Sequence, residues 1–298
     1  MNTRSRNIFG FIGFGLIGGS IARSIRLQKP EAQIIAYTYH PDTPNPQLEL
    51  AISDGVLTRM TGSLEDFADC DVIFLCAPVR QNISYLERLK PLIRPGCILT
   101  DVGSVKGDIH EAVADLGMNS CFIGGHPMTG TEKIGYQYSD EKLLHDHFYI
   151  LTPTAEVPQE YVTWMHEFVE ATGAKCVEVD VKVHDQATAS ISHGPHVISA
   201  ALVNAVADLD QYGIYRLLAA GGFKDITRIS SSSPAMWENI CLNNSDCILD
   251  FLEDFQNVLQ RVMEAIRQGD QEALHTFFAG AKAYRDQLIN KPAGTHKF

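Results

Sequence analysis

Basic residues are scarce in this chain. Its 24 Lys and Arg stand against 36 Asp and Glu, for a formal net charge of -12 at pH 7. That balance argues against nucleic acid as a partner. It also means that an anionic small molecule would need its own local cluster of Arg, Lys and His. No pair among the seven cysteines (Cys70, Cys76, Cys97, Cys121, Cys176, Cys241 and Cys247) has C-x-x-C spacing, the count is odd, and several lie in apolar runs. Reduced thiols in a cytoplasmic protein fit this better than a disulfide framework. No segment reaches the ~18 uninterrupted apolar residues of a membrane span. Arg4 and Arg6 ahead of residues 8–21 have the outline of a leader, yet Gly10, Gly13, Gly15, Gly18 and Gly19 crowd that stretch and make poor helix. Internal repeats and low-complexity tracts are missing too.

What is present is an ordinary globular composition, 45% hydrophobic and 20% charged, over 298 residues, enough for two domains with separate cores. The first half alternates short apolar runs with amphipathic stretches, the pattern of a parallel α/β sheet. Strands are predicted at residues 7–12, 33–37, 72–76, 98–102, 121–124 and 149–151, a helix at 160–172 and a closing strand at 175–179. From about Val183 the pattern turns helical. Ile191, Ile198, Leu202, Ala205 and Leu209 share one stripe, and Ile248, Leu252, Phe255, Leu259, Val262 and Ile266 another. Residues 221–234, rich in Gly and Ser, are expected to be irregular in part, and residues 291–298 to fray. The fold class that follows is an N-terminal Rossmann-type parallel sheet domain, residues 1–182, and an all-helical domain, residues 183–298. A helical domain with more than one apolar face is expected to bury the excess in a second copy, as a homodimer.

The first predicted strand runs straight into Gly13-Phe14-Gly15-Leu16-Ile17-Gly18 and then into a helical pattern, so G-x-G-x-x-G stands in a strand–turn–helix setting. Gly13 permits the tight turn, Gly15 lets a pyrophosphate approach the backbone, and Gly18 lets helix and strand pack closely. Free N–H groups at the helix start, from Leu16 and Ile17 onward, meet the phosphate charge. The acidic residue expected after the second strand to hold the adenosine ribose is missing: Thr38, Tyr39 and His40 stand there, followed by Pro41 and Asp42. NAD is the expected cofactor, with NADP not excluded. Two further strand ends belong to the same cleft, Cys76-Ala77-Pro78-Val79 and the run that begins at Asp101.

Gly124-Gly125-His126-Pro127 follows another predicted strand. Flanking glycines are expected to leave the His126 imidazole exposed for base work near neutrality. Ser192-His193-Gly194-Pro195-His196 and Gly221-Gly222-Phe223-Lys224-Asp225-Ile226-Thr227-Arg228 add polar groups from the second half. Lys224 and Arg228 have i,i+4 spacing and supply the local positive charge that an acidic protein needs for an acidic substrate. An Asp225–Arg228 pair on a solvated face is the plainer alternative. His184, His193 and His196 with Asp185 could be drawn around a metal, but the spacing matches no known site, and no metal is expected. His193 reads better as a substrate donor and His196 as a packed helix residue.

Taken together, residues 13–18, 101–106, 124–132, 192–196 and 222–228 resemble the prephenate dehydrogenases, which share these blocks with arogenate and cyclohexadienyl dehydrogenases. The resemblance spans nearly the whole chain. It implies a Rossmann domain, a helical dimerisation domain and an active site between them. It further implies oxidative decarboxylation of prephenate to 4-hydroxyphenylpyruvate in tyrosine biosynthesis. On that resemblance His126 takes the hydroxyl proton and Ser104 orients it. Arg228 binds a carboxylate with support from His193 and Lys224, and Thr131, Glu132 and Trp237 shape the pocket. An appended regulatory domain is not expected, so any feedback by tyrosine would act at the active site. Arogenate oxidation, a β-hydroxyacid dehydrogenase and a dinucleotide-sensing regulator without turnover are the rival readings.

Overall fold

Strands of the first half carry apolar residues on both faces, as a sheet covered on both sides requires. In the computed structural model, which describes residues 6–131 and 133–289, eight strands form one sheet: β1 (Ile8–Ile12), β2 (Gln33–Tyr37), β3 (Arg59–Thr61), β4 (Val72–Leu75), β5 (Ile98–Asp101), β6 (Phe122–Pro127), β7 (Phe148–Pro153) and β8 (Lys175–Glu178). Their order is β3-β2-β1-β4-β5-β6-β7-β8, parallel throughout except that β7 runs antiparallel to β6. Five helices accompany them: α1 (Leu16–Gln28), α2 (Pro46–Ser53), α3 (Val79–Leu89), α4 (Gly107–Asp115) and α5 (Gln159–Ala171). Alternation along the strands sends Phe9, Phe11 and Phe74 to one face, packed with Ile21 of α1 and Met165 of α5. Ile12, Ile73, Leu75 and Leu99 go to the other, against Leu86 of α3 and Ile109 of α4.

This is the doubly wound order in which chain direction reverses between β1 and β4, so that a crevice opens at their carboxyl ends. The sequence reading missed β3, a three-residue edge strand with an exposed Arg59 and Met60 and therefore no apolar run to announce it. It also stopped β6 at Gly124, whereas the strand continues through His126 and Pro127, paired with Ile150 and Tyr149.

After β8 the described chain is helical: α6 (Val181–Thr188), α7 (Gly194–Leu209), α8 (Ile214–Leu218), α9 (Gly221–Thr227), α10 (Pro234–Asn243), α11 (Ser245–Gln268) and α12 (Gln271–Ile289). A π-helical turn at Ala189–His193 joins α6 to α7. Residues 221–234, expected to be irregular, form α9, a 3-10 turn at Arg228–Ser231 and the start of α10. The first predicted stripe largely faces outward in the single chain, whereas the second has Ile248 buried and Leu252, Phe255 and Val262 partly covered. Tyr212 is 88% exposed and Leu217 77%, with Leu209, Leu218 and Ile266 similarly bare. The predicted fraying of residues 291–298 lies outside the described residues.

Candidate active site

Gly13 takes φ +87°, a conformation L side chains rarely adopt, and a Cβ there would lie 2.5 Å from the Ala77 backbone nitrogen. The glycine turn is thereby pressed against the chain that leaves β4. At Gly18 a Cβ would sit 2.8 Å from the Gly13 carbonyl oxygen and 3.3 Å from Cys76 Cβ, so helix and strand touch. At Gly15 a Cβ would meet nothing within 4 Å, since that side of the turn faces open space. Helix α1 has no side chain capping its N-terminus and no acid in its first turn. Its leading N–H groups therefore face the opening as a ready anion site. These features fit the pyrophosphate of a dinucleotide.

A cleft of about 290 Å³ opens there, lined by Gly13, Gly15, Thr38, Tyr39 and Ala77 among the predicted residues. Asn45, Gln47, Gln81 and Tyr85 line it as well; the sequence reading missed them because they carry no motif, only polar positions on α2 and α3. No carboxylate is among the lining residues. Leu16 and Ile17 begin α1, and Val79 begins α3 with Pro78 at its N-cap, but none of the four is among the residues that line the cleft. His40 does not line it and packs edge-on against Tyr39, with ring centroids 4.6 Å apart. Asp101 does not reach it either. Its carboxylate is fully buried, ion-paired with the equally buried Lys106, and accepts hydrogen bonds from the N–H of Gly103 (2.9 Å) and Gly125 (3.2 Å). Burial here explains the acid: it ties the loop after β5 to β6, with Lys106 Nζ also donating to the Gly125 carbonyl (2.9 Å). Ser104 lies half-buried in that tied loop.

His126 departs from expectation in an informative way. The ring is half-buried instead of exposed, and the glycines before it answer a packing demand. Cβ atoms on Gly124 and Gly125 would lie 2.3 Å from Thr152 Oγ1 and 2.6 Å from the Asp101 carbonyl oxygen. His126 Nδ1 is 2.8 Å from Nε2 of His184, whose own Nδ1 is 2.7 Å from Asp185 Oδ1. Burial first, then the neighbouring His184, Lys106 and His193, holds the His126 pKa well below the usual histidine range. The resting ring is therefore neutral and able to accept a proton. His184 and Asp185, which sequence reading considered only as metal ligands, are buried on α6.

The helical half brings up the remaining groups. Asn244 Nδ2 donates to the Asp185 carbonyl (3.0 Å) and lies 3.1 Å from His193 Nδ1, so His193 accepts there and keeps its proton on Nε2. Burial drives the His193 pKa down to about 4, which leaves a neutral donor. Trp237 stacks on His196 with centroids 3.7 Å apart and stands 6.1 Å from His193. Its buried indole N–H has no hydrogen-bond partner among the described residues. Arg228 is exposed, and its charge helps burial lower the His196 pKa. Lys224, one turn earlier on α9, is exposed too. Thr131 is exposed and accepts from the Lys133 N–H (3.2 Å). Glu132 lies outside the described residues. An unbroken series of contacts thus runs from His126 through His184, Asp185, Asn244, His193, Trp237 and His196 to the neighbourhood of Arg228.

Comparison with known proteins agrees with this geometry. Residues 21–178 match the family model described as prephenate dehydrogenase, nucleotide-binding domain, and residues 180–280 the one described as prephenate dehydrogenase, dimerization domain. A Bacillus subtilis prephenate dehydrogenase is 36% identical over 95% of this chain and 76% of its own. The crystal structure of prephenate dehydrogenase from A. aeolicus in complex with hydroxyphenyl propionate and NAD+ superimposes with a TM-score of 0.86 at 30% identity, covering 96% of this chain and all of that one. Synechocystis arogenate dehydrogenase does so with a TM-score of 0.83 at 31% identity, over 94% and 99% of the two chains. The chain belongs to the prephenate dehydrogenase family.

Proposed function

We propose that this protein is an NAD-dependent prephenate dehydrogenase that converts prephenate to 4-hydroxyphenylpyruvate and carbon dioxide in tyrosine biosynthesis. The observation that carries this reading is a neutral, half-buried imidazole on β6, two strands from β4 in the sheet that carries the dinucleotide cleft, in contact with His184 of the helical half. The glycine turn and the start of α1 would hold the pyrophosphate, and Thr38, Tyr39 and Ala77 the nucleoside parts. When bound, the nicotinamide accepts the hydride from the ring carbon that bears the hydroxyl. His126 Nε2 takes the hydroxyl proton as that carbon becomes a carbonyl, and Ser104 orients the hydroxyl. The electrons of the ring carboxylate bond then flow into the ring, carbon dioxide leaves, and His126 returns its proton to the phenolate oxygen. Aromatisation makes the step effectively irreversible. Arg228 would bind a substrate carboxylate, with Lys224 adding positive charge, and His193 Nε2–H and Trp237 Nε1–H would donate to the remaining oxygens. Thr131 and Glu132 would shape the substrate pocket.

The domain boundary belongs near residue 182, after the last strand. Two copies would associate through the helical half, whose exposed leucines and tyrosines supply the apolar contact; the matching model's name, dimerization domain, supports this. No helix among the described residues is long and apolar enough to cross a membrane. Seven free thiols suit the cytoplasm.

Following reduced-nicotinamide absorbance with prephenate or arogenate, each with NAD or NADP, tests the reading. Prephenate with NAD is expected to be fastest. The likeness to an arogenate dehydrogenase makes arogenate the second substrate to try. In the same assay His126→Asn should still bind prephenate while kcat falls about 10²–10⁴-fold. Near-normal turnover would remove His126 as the base.

A further inference from the structure

The proposed reaction needs one imidazole, yet a second is buried directly behind it. His184 is 1% exposed on α6 and has Asp185 Oδ1 at 2.7 Å from its Nδ1. The Asp185 carboxylate can only accept: Oδ1 also takes the Lys106 N–H (2.9 Å) and Oδ2 the Gly107 N–H (2.8 Å). Burial pushes the Asp185 pKa up, but the bonds from His184, Lys106 and Gly107 outweigh it, and the carboxylate stays ionised below the usual range. His184 Nδ1 therefore carries a proton as donor, and a ring with that single proton has a bare Nε2. That Nε2 stands 2.8 Å from His126 Nδ1, which must donate to it. The proton of His126 is thereby fixed on Nδ1, and its Nε2 is left as a lone pair.

We propose that Asp185 and His184 are positioning residues. Through the series Asp185–His184–His126 they lock His126 in the tautomer whose Nε2 can accept the substrate proton, and they spread the positive charge once it does. The proposal rests on the reading of His126 as the base in prephenate oxidation. Two other groups act on the His126 ring, Lys106 from the loop ahead of α4 and His193 at the end of the π-helical turn, and both disfavour a proton there. Asp101 already neutralises Lys106 within the buried ion pair. Asp185, one ring removed, is the anion left to offset a charge shared by two imidazoles. Its own carboxylate gains from capping α4, where it accepts the first free N–H groups of that helix.

Nitrogen NMR of the full-length protein with labelled histidine reads the tautomer without substrate, with His126 assigned by its loss in His126→Gln. The expected wild-type spectrum shows His126 protonated on Nδ1 and bare on Nε2 near neutral pH. Asp185→Ala removes the acceptor of His184 Nδ1 and should release the series, so that His126 shows a mixture of Nδ1-protonated and Nε2-protonated forms. In turnover, His184→Gln retains an acceptor for His126 Nδ1 and should lose only several-fold in kcat. His184→Leu has none and should lose about 100-fold or more, with KM for prephenate little changed. A wild-type His126 protonated on Nε2, an unmoved tautomer in Asp185→Ala, or equal kcat in the two His184 variants would overturn the proposal. Failure of the wild-type protein to oxidise prephenate would instead sink the reaction assignment, while the imidazole spectrum would still decide the relay.

Discussion

On the proposed reading, Arg228 and His126 serve one acidic substrate in different ways. The guanidinium is exposed and always charged, so it can meet a carboxylate without being buried beforehand. Its proposed contact would be made in the ground state as much as in the transition state. Arg228→Ala should therefore raise KM for prephenate about tenfold or more with kcat nearly kept, as loss of one charged contact implies. Steady-state kinetics at saturating NAD check this, and an unchanged KM would count against the residue. His126 works by the opposite logic, since its neutrality is secured by burial and by the company of His184. The sequence showed the histidine and its glycines but not the reason for the glycines. That reason is the proximity of Thr152 to Gly124 and of the Asp101 carbonyl to Gly125, groups 28 and 24 positions away that sheet pairing brings together.

At the scale of elements, the loop from β5 to α4 is held by a charge pair with no access to solvent. Lys106→Met would leave the Asp101 carboxylate buried and unpaired, at a cost of about 3–5 kcal/mol. Adding Asp101→Leu should not restore stability, because the N–H groups of Gly103 and Gly125 would then lose their acceptor. Chemical denaturation of the single and double variants measures both effects. The elements were unequally legible in the sequence. The glycine turn and the central strands β1, β4 and β5 could be read because their apolar runs and turn chemistry are local. β3 could not, since an edge strand of Arg59, Met60 and Thr61 is defined by its pairing with β2. The His184–Asp185 pair was read from the sequence only as part of a metal-ligand set that matched no known spacing. Its meaning depends on α6 docking against the N-terminus of α4, a contact no short-range pattern encodes.

For the whole molecule, buried histidines set the response to acid. Burial, assisted by Lys106, drives the His110 pKa down to about 4, and burial does the same for His193. The unfolded chain takes up these protons near pH 6.5 and the folded chain only near 4. Their stabilising effect is thus whole above pH 6.5, shrinks as the pH falls through that window, and is gone below about 4. Each tenfold difference in proton affinity corresponds to about 1.4 kcal/mol, so the two histidines together amount to several kcal/mol, and Tm by calorimetry should drop by about ten degrees or more across the window, at roughly 2–4 °C per kcal/mol. The outward leucines make a separate prediction about assembly. Replacing Leu217 and Leu218 together with Asp should shift sedimentation from dimer toward monomer, and a wild-type chain that sediments as a monomer at micromolar concentration would remove the dimer altogether. The cap on α4 has one more consequence, for recombination between relatives. That helix has no capping side chain of its own and borrows a carboxylate from the first helix of the other half. A chimera that grafts a foreign helical half onto this nucleotide-binding half will keep both the cap and a correctly polarised base only if the incoming segment carries an imidazole followed at once by an acid.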